Sequence, residues 1–228
     1  MAEWVDETIR SYVKDASFAD IGGLWGLVNE KLTVAVKAGC RAATMIDITP
    51  IDHQSWSEFD KRVRSAGVTK YEKLQGNVED PALPTKAGTF DFVHCSGVIY
   101  HVPSPLCTLE RLHALTDRFL LLGSMTVPQR VLTDAGEISF TGGRTLFLPA
   151  VDPPTRKILA KHFQNLGIHV AGICDDRYLW TSLSAYAPWW WIWTVDTLSA
   201  MLQLTGFRVI DIQETWGGRA HGIFCERV

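Results

Sequence analysis

The chain has 228 residues, 46% of them hydrophobic, a size that fills one α/β domain with a full core. A formal net charge of −3 and an isoelectric point near 6.2 rule out long-range attraction to nucleic acid, and the densest basic clusters (Lys61, Arg62, Arg64; Arg156, Lys157, Lys161) read as solvated helix faces. No segment reaches the roughly 18 uninterrupted apolar residues of a membrane span, and the acidic start lacks a secretory core. Five cysteines without a Cys-x-x-Cys pair offer neither a disulfide frame nor a structural zinc site, which predicts a cytoplasmic protein.

Residues 3–14 place Trp4, Val5, Ile9 and Val13 on one side of an amphipathic helix. Residues 17–21 read as a first strand, and 26–38 as a helix closed by Gly39. Ala42–Asp47 is a second strand, Ser55–Ala66 a polar helix and Tyr71–Gln75 a third strand, with 81–88 as loop. Phe90–Cys95 is a fourth strand, Pro105–Leu115 a helix, and Arg118–Ser124 a fifth, buried strand. Such alternation predicts a parallel sheet with helices on both faces.

The rhythm breaks over 126–193. Two turn-like stretches (134–137 and 141–144), a helix at 153–166 and the aromatic tract Tyr186-Ala-Pro-Trp-Trp-Trp-Ile-Trp193 fill it. Thr194 has the form of an N-cap for a helix over 195–205 that Gly206 ends. Two last strands, 207–214 and 219–226, flank Thr215-Trp216-Gly217-Gly218, and strands joined so tightly must be antiparallel.

Asp20 ends the first strand and leads into a turn bearing Gly22, Gly23 and Gly26, and Asp47 ends the second strand about twenty residues later. Glycines let backbone approach a ligand, a helix N-terminus faces it, and a strand-end acid accepts hydrogen bonds from ribose hydroxyls. This pattern cradles a nucleoside. Asp20 reads either as a ligand to that nucleoside's appendage or as a turn-capping carboxylate. Asn77 reads either as a contact to the base or as an Asx turn.

Four blocks carry a family resemblance: Ala19-Asp20-Ile21-Gly22-Gly23-Leu24-Trp25-Gly26, Asp47, Gly76-Asn77-Val78-Glu79, and Phe90–Pro103. In this order they resemble the class I S-adenosylmethionine-dependent methyltransferases. The match covers about residues 15–125 and extends to the C-terminal hairpin. Its implied fold is a Rossmann-like, doubly wound, seven-stranded sheet, mostly parallel with a C-terminal antiparallel hairpin. The single domain spans 1–228, with 126–193 inserted as a substrate-covering cap. Leu24 departs from the pattern, standing where the family usually has its middle glycine. Gly97–Pro103 is also similar to the group that carboxymethylates tRNA wobble uridine.

By resemblance, S-adenosylmethionine lies on Asp20, Gly22, Gly23, Leu24 and Gly26, with Asp47 and Ile48 at the ribose and Asn77 and Val78 at the adenine. Cys95, Ser96 and Gly97 lie at the carboxyl edge of strand four, where open α/β sheets bind ligands, Cys95 as a packing residue rather than a nucleophile. The product is S-adenosylhomocysteine. An activated methyl needs no covalent nucleophile, only alignment of the acceptor and removal of its proton. His101 is the expected base, a structural histidine bonded to backbone in the Tyr100–Pro105 turn being the other reading, with Tyr100 beside it; His94 and His221 read as interior histidines. The other histidines show no ligand spacing, so no metal is expected.

Consecutive tryptophans point in different directions, so Trp190, Trp191 and Trp193, with Arg144, Tyr178 and Tyr186, are expected to wall the acceptor, packing of the indoles against the sheet and the N-terminal helix being the alternative. O-methylation of a small-molecule, sugar or natural-product acceptor follows, with tRNA alkylation as the alternative and nucleic acid otherwise unexpected. A nicotinamide-dependent reductase is the rival outside the family, but its Gly-x-Gly-x-x-Gly spacing is not the Gly-Gly-x-x-Gly found here. A binding module that has lost catalysis is the last alternative, with Leu24 as its one argument. Oligomeric state is not legible, a homodimer being one option.

Overall fold

The computed structural model of the chain describes residues 2–25, 30–175 and 179–228. In chain order it forms α1 (Ala2–Tyr12), β1 (Ser17–Ile21), α2 (Leu32–Lys37), β2 (Ala42–Asp47), α3 (Gln54–Ser65), β3 (Glu72–Gln75), α4 (Leu83–Ala87) and β4 (Phe90–Ser96). Then come α5 (Pro105–Leu115), β5 (Thr116–Met125), the short strands β6 (Arg130–Thr133), β7 (Gly136–Ser139) and β8 (Leu146–Phe147), and α6 (Pro153–Asn165). β9 (Trp191–Ile192), α7 (Val195–Leu204), β10 (Phe207–Thr215) and β11 (Ala220–Arg227) complete the described elements.

Seven strands pair in the order β10-β11-β5-β4-β1-β2-β3. β1 to β5 run parallel, whereas β11 is antiparallel to both β5 and β10. The expected sheet and its antiparallel ending are therefore present. Alternation along each strand divides the core. Phe18, Met45, Phe92, Leu121 and Phe224 pack with α1, α2 and α3, while Ile21, Ile46, Val93, Leu122 and Ile223 pack with α4, α5 and α7. Both faces are thus dry, as a parallel sheet requires.

The 126–193 segment folds onto the second face. Phe140, Leu148, Leu159, Phe163 and Trp189 belong to its core, the β6–β7 hairpin packs on α6, and β8 pairs with β9. Thr194 caps α7 as expected, and Asp152 caps α6, each accepting from a backbone N–H three residues on.

Local structure departs from expectation in three places. Of the helix expected over 26–38, residues 26–29 lie outside the described residues, and the described helix starts at Leu32, beyond a 3-10 turn at Gly23–Trp25. Its start is fixed by Asp20, whose carboxylate accepts from the N–H groups of Lys31 and Leu32. Residues 83–87, expected as loop, form α4 with Pro84 in its first turn, where a missing N–H costs nothing. The turn expected at 134–137 is shorter, because Gly136 and Glu137 already pair in β7. Among the described residues no helix is long and apolar enough to cross a membrane.

Candidate active site

At the carboxyl edge of β1, β2 and β4 lies a cavity of about 340 Å³, within the range of small-molecule sites. Gly22, Asp47, Ile48, Asn77, Val78, Gly97, Tyr100, His101 and Tyr186 all line it. Nine of the residues expected at the site are therefore brought together, from segments up to 164 residues apart in sequence.

Backbone shape makes this cavity. Gly22 has φ +76° and Gly97 φ +79°, conformations that side chains disfavour, and a Cβ on Gly22 would overlap Val98. The amide of Gly22 bonds to the Ile46 carbonyl and that of Gly76 to the Asp47 carbonyl, which ties the loops to β2. Asp47 is 3% exposed, with one carboxylate oxygen accepting from the Thr49 N–H at 2.9 Å. Burial raises its pKa, and hydrogen bonds from Thr49 and the Leu24 backbone offset part of that rise. A buried carboxylate at a cavity wall seeks hydroxyl donors.

At the far end, Asn77 uses both ends of its amide. Its oxygen accepts from the Glu79 N–H at 3.0 Å, an Asx turn, and its nitrogen donates to the Tyr186 hydroxyl at 2.9 Å. Tyr186 thus bridges to the opposite wall. Tyr100 and His101 stand on a 3-10 turn after β4, their rings 4.6 Å apart, with Trp189 4.6 Å from Tyr100. Burial pushes the Tyr100 phenol up. It pushes His101 down to about 4, although the carbonyls of Pro188 and Tyr186 pull the other way. The Nδ1–H of His101 donates to the Pro188 carbonyl at 3.2 Å, so this imidazole is neutral near pH 7 and weakly basic.

Other expected residues lie outside the cavity. Asp20 is fully buried behind the loop, where it caps α2 and meets the His94 Nδ1 at 2.8 Å. Gly23 faces that carboxylate, which a Cβ would approach to 2.7 Å. Leu24 turns into the core with Phe18 and Trp56, and Arg62 holds its carbonyl. Its side chain therefore does not narrow the cavity, and the departure from the glycine pattern is absorbed by packing. Cys95 is buried in the core, its thiol pushed up by burial. Ser96 packs on Gly123 facing α1. Gly26 and Tyr178 lie outside the described residues.

The tryptophans are mostly core. Trp190 donates to the Ala185 carbonyl, Trp191 to that of Pro103 and Trp193 to the Ser124 hydroxyl. Each indole thus finds a partner within the fold, which is why it can be buried. Trp191 and Trp193 border a separate apolar groove with Leu106, Cys107 and Met201, and Arg144 is exposed on a loop. His221 bonds to the Thr126 hydroxyl at 2.7 Å. Among the described residues no three of His, Cys, Asp and Glu gather as metal ligands.

Sequence reasoning missed two features. Glu30 is buried beside Asp20, its pKa raised first by burial and then by that neighbour. His94 pairs with Asp20 across the β1–β4 ladder. Alternation from Phe92 and Phe18 would have placed both on one face.

A seven-stranded sheet of this order, with a glycine-walled cavity and strand-end carboxylate, defines a nucleoside-binding α/β enzyme. Its family follows from comparison: a family model described as a methyltransferase domain matches residues 13–212. The chain belongs to that family, the class I S-adenosylmethionine-dependent methyltransferases.

Solved structures share the fold at low identity. The 1,6-didemethyltoxoflavin N1-methyltransferase of Burkholderia thailandensis, bound to 1,6-didemethyltoxoflavin and S-adenosylhomocysteine, aligns with a TM-score of 0.58 at 12% identity, covering 100% of this chain and 78% of that one. The magnesium protoporphyrin IX methyltransferase of Synechocystis, solved with S-adenosylhomocysteine, gives 0.60 at 15% identity over 100% and 83%. The N-terminal domain of EvdMO1, solved with S-adenosylhomocysteine and D-fucose, gives 0.55 at 17% identity over 99% and 82%. No curated protein sequence matches the chain.

Proposed function

We propose that the cavity holds the adenosine of S-adenosylmethionine and that the enzyme O-methylates a small or medium-sized acceptor, such as a sugar or natural-product scaffold. The observation that carries the reading is the buried Asp47 carboxylate on a wall shared with Gly22 and Gly97. The residues fit the group. Asp47 accepts from the ribose diol, while Ile48 and Val78 give apolar surface for a base. Gly22 and Gly97 let backbone pass close to the ligand. Tyr186, held by Asn77, closes the adenine end.

The bound sulfonium supplies an activated methyl group. The protein orders the acceptor, excludes water and disposes of the acceptor's proton. Tyr100 and His101 form the wall facing 126–193, and that segment serves as the acceptor's cover. EvdMO1's N-terminal domain, solved with D-fucose, and the toxoflavin and porphyrin enzymes favour a small acceptor over a polynucleotide.

Calorimetry with S-adenosylmethionine, S-adenosylhomocysteine, NADH and NADPH tests the donor. Micromolar binding of both adenosyl ligands is expected; binding of a nicotinamide alone would overturn the reading. Incubation with methyl-labelled donor and a panel of hexoses, catechols, hydroxy fatty acids and bulk tRNA tests the acceptor. Label is expected on a hydroxyl of a small compound, and salt-sensitive transfer to tRNA would replace that assignment.

A further inference from the structure

A second cavity lies at the same carboxyl edge of the sheet, toward its antiparallel end. It measures about 370 Å³ and shares no lining residue with the nucleoside cavity. The 126–129 stretch after β5 forms one wall, the end of α6 and the start of α7 two more, and the β10–β11 hairpin the last. Two carboxylates and two imidazoles line it: Glu214 of β10, His221 of β11, Asp196 of α7 and His162 of α6.

The fold brings these four together from distant parts of the chain. Glu214 and His221 are register partners across β10–β11, so their side chains rise next to each other from one face. Asp196 lies in the first turn of α7, two residues past the Thr194 cap, and His162 in the last turn of α6. Burial lowers the pKa of both imidazoles, and at His221 the charges of Glu214 and Asp196 oppose it. Both rings are therefore neutral near pH 7.

Most of this polar capacity has no partner within the protein. Asp196 Oδ2 accepts from the Gln129 amide at 2.7 Å, and His221 Nδ1 meets the Thr126 hydroxyl at 2.7 Å. That leaves Asp196 Oδ1, the Glu214 carboxylate, the His162 ring and His221 Nε2, none of them hydrogen-bonded among the described residues. No lysine or arginine lines the cavity, and the Arg219 guanidinium of the hairpin turn points toward Gly167, past the end of α6. From 126–129 no titratable side chain faces it.

Two carboxylates repel an anion, and among the described residues no three side chains converge as ligands for a bare metal ion. Val127, Leu166 and Val195 add apolar surface beside the charges. The combination suits a cation that carries several N–H donors on an apolar stem.

We propose that this cavity is a binding site for a small organic cation, an alkylamine or alkylguanidine. Glu214 and Asp196 face its charge, His221 and His162 meet its remaining N–H groups, and its methylenes lie on Val127, Leu166 and Val195. The site stands apart from the methyl-transfer reading, because it borrows no residue from the donor cavity. Acid should oppose the ligand: protonating either imidazole sets a positive charge beside it, so affinity falls as pH drops below 6.5.

Calorimetry with agmatine and with putrescine at neutral pH tests the site. Dissociation constants below about 1 mM are expected. Glu214→Gln and Asp196→Asn should each weaken binding about 10- to 100-fold. Both carboxylates are exposed, so the variants should fold, and an unchanged thermal unfolding curve checks that. No binding of either amine at about 10 mM, or full affinity in both variants, would overturn the proposal. So would displacement of agmatine by an equal concentration of magnesium chloride, since surface charge alone would then account for the attraction. Affinity that holds as the solution is acidified would remove the imidazoles from the site. Failure of the adenosyl ligands to bind in the same calorimeter would count against the donor cavity only.

Discussion

The nucleoside cavity, lined by residues that follow β4, and the small hollow beside His94, lined by residues of β4 itself, are built in opposite ways. The first is wide and comes from loops that each follow a strand, with glycine backbone on one side and a single carboxylate at its floor. The second is small and takes one or two side chains from each of several elements, held by buried ionic contacts. One space is shaped by what the chain omits, namely Cβ atoms. The other is shaped by charges that must be paired to be buried at all.

The comparison can be broken from either side. Gly22→Ala should have the largest effect. Its positive φ alone costs about 1–3 kcal/mol, overlap with Val98 adds to that, and both thermal unfolding and adenosyl-ligand affinity should report it. A variant as stable as the parent would show that the loop has another conformation.

Asp47→Asn should weaken S-adenosylhomocysteine binding by about 1.5–3 kcal/mol, roughly 10- to 100-fold by calorimetry. It should also stabilise the free protein. The folded-state pKa of Asp47 is raised above the unfolded value, so its stability contribution is full below the unfolded pKa and lost as pH rises through the folded one. At neutral pH the charged form is a cost, and asparagine removes it. Opposite signs in ligand-free and ligand-bound melting temperatures are the signature.

His101 predicts a pH effect of the other sense. Its pKa is lowered from 6.5 to about 4, so the unfolded chain binds the extra proton over that window. Stability contributed by the neutral ring is complete above about 6.5 and falls by up to about 1.4 kcal/mol per pH unit toward 4. Denaturant melts of His101→Phe should flatten that slope; an unchanged slope would place the acid sensitivity elsewhere. The smallest effect is expected from Tyr186→Phe, which loses the Asn77 bond and should cost about 0.5–1.5 kcal/mol in adenosyl-ligand affinity.

How much could be read beforehand follows from the same contrast. Strand-end residues such as Asp47 and glycines such as Gly22 and Gly97 announce themselves, because a single position fixes both backbone shape and place at the sheet edge. The seven strands were legible for a related reason: their apolar runs are bounded by turns. The start of α2 was not, since it is set by a carboxylate eleven residues earlier that reaches back to Lys31 and Leu32. Nor could spacing alone show that the indoles of Trp190, Trp191 and Trp193 satisfy themselves on Ala185, Pro103 and Ser124. Leu24 departs from the glycine pattern of the loop, but only its packing with Phe18 and Trp56 shows that its side chain belongs to the core.

The aromatic tract also limits how the molecule can open. Trp190 N–H bonds to the Tyr100 carbonyl, Pro188 holds His101, Trp191 holds Pro103, and Trp189 lies on the Tyr100 ring. Four ties join the tract to one short turn. No hinge can therefore lie between them: if the segment swings to admit an acceptor, the Tyr100–His101 turn travels with it, and the bending must occur where 126–193 leaves and rejoins the sheet. Access for the acceptor and the shape of the donor cavity would then change in a single motion.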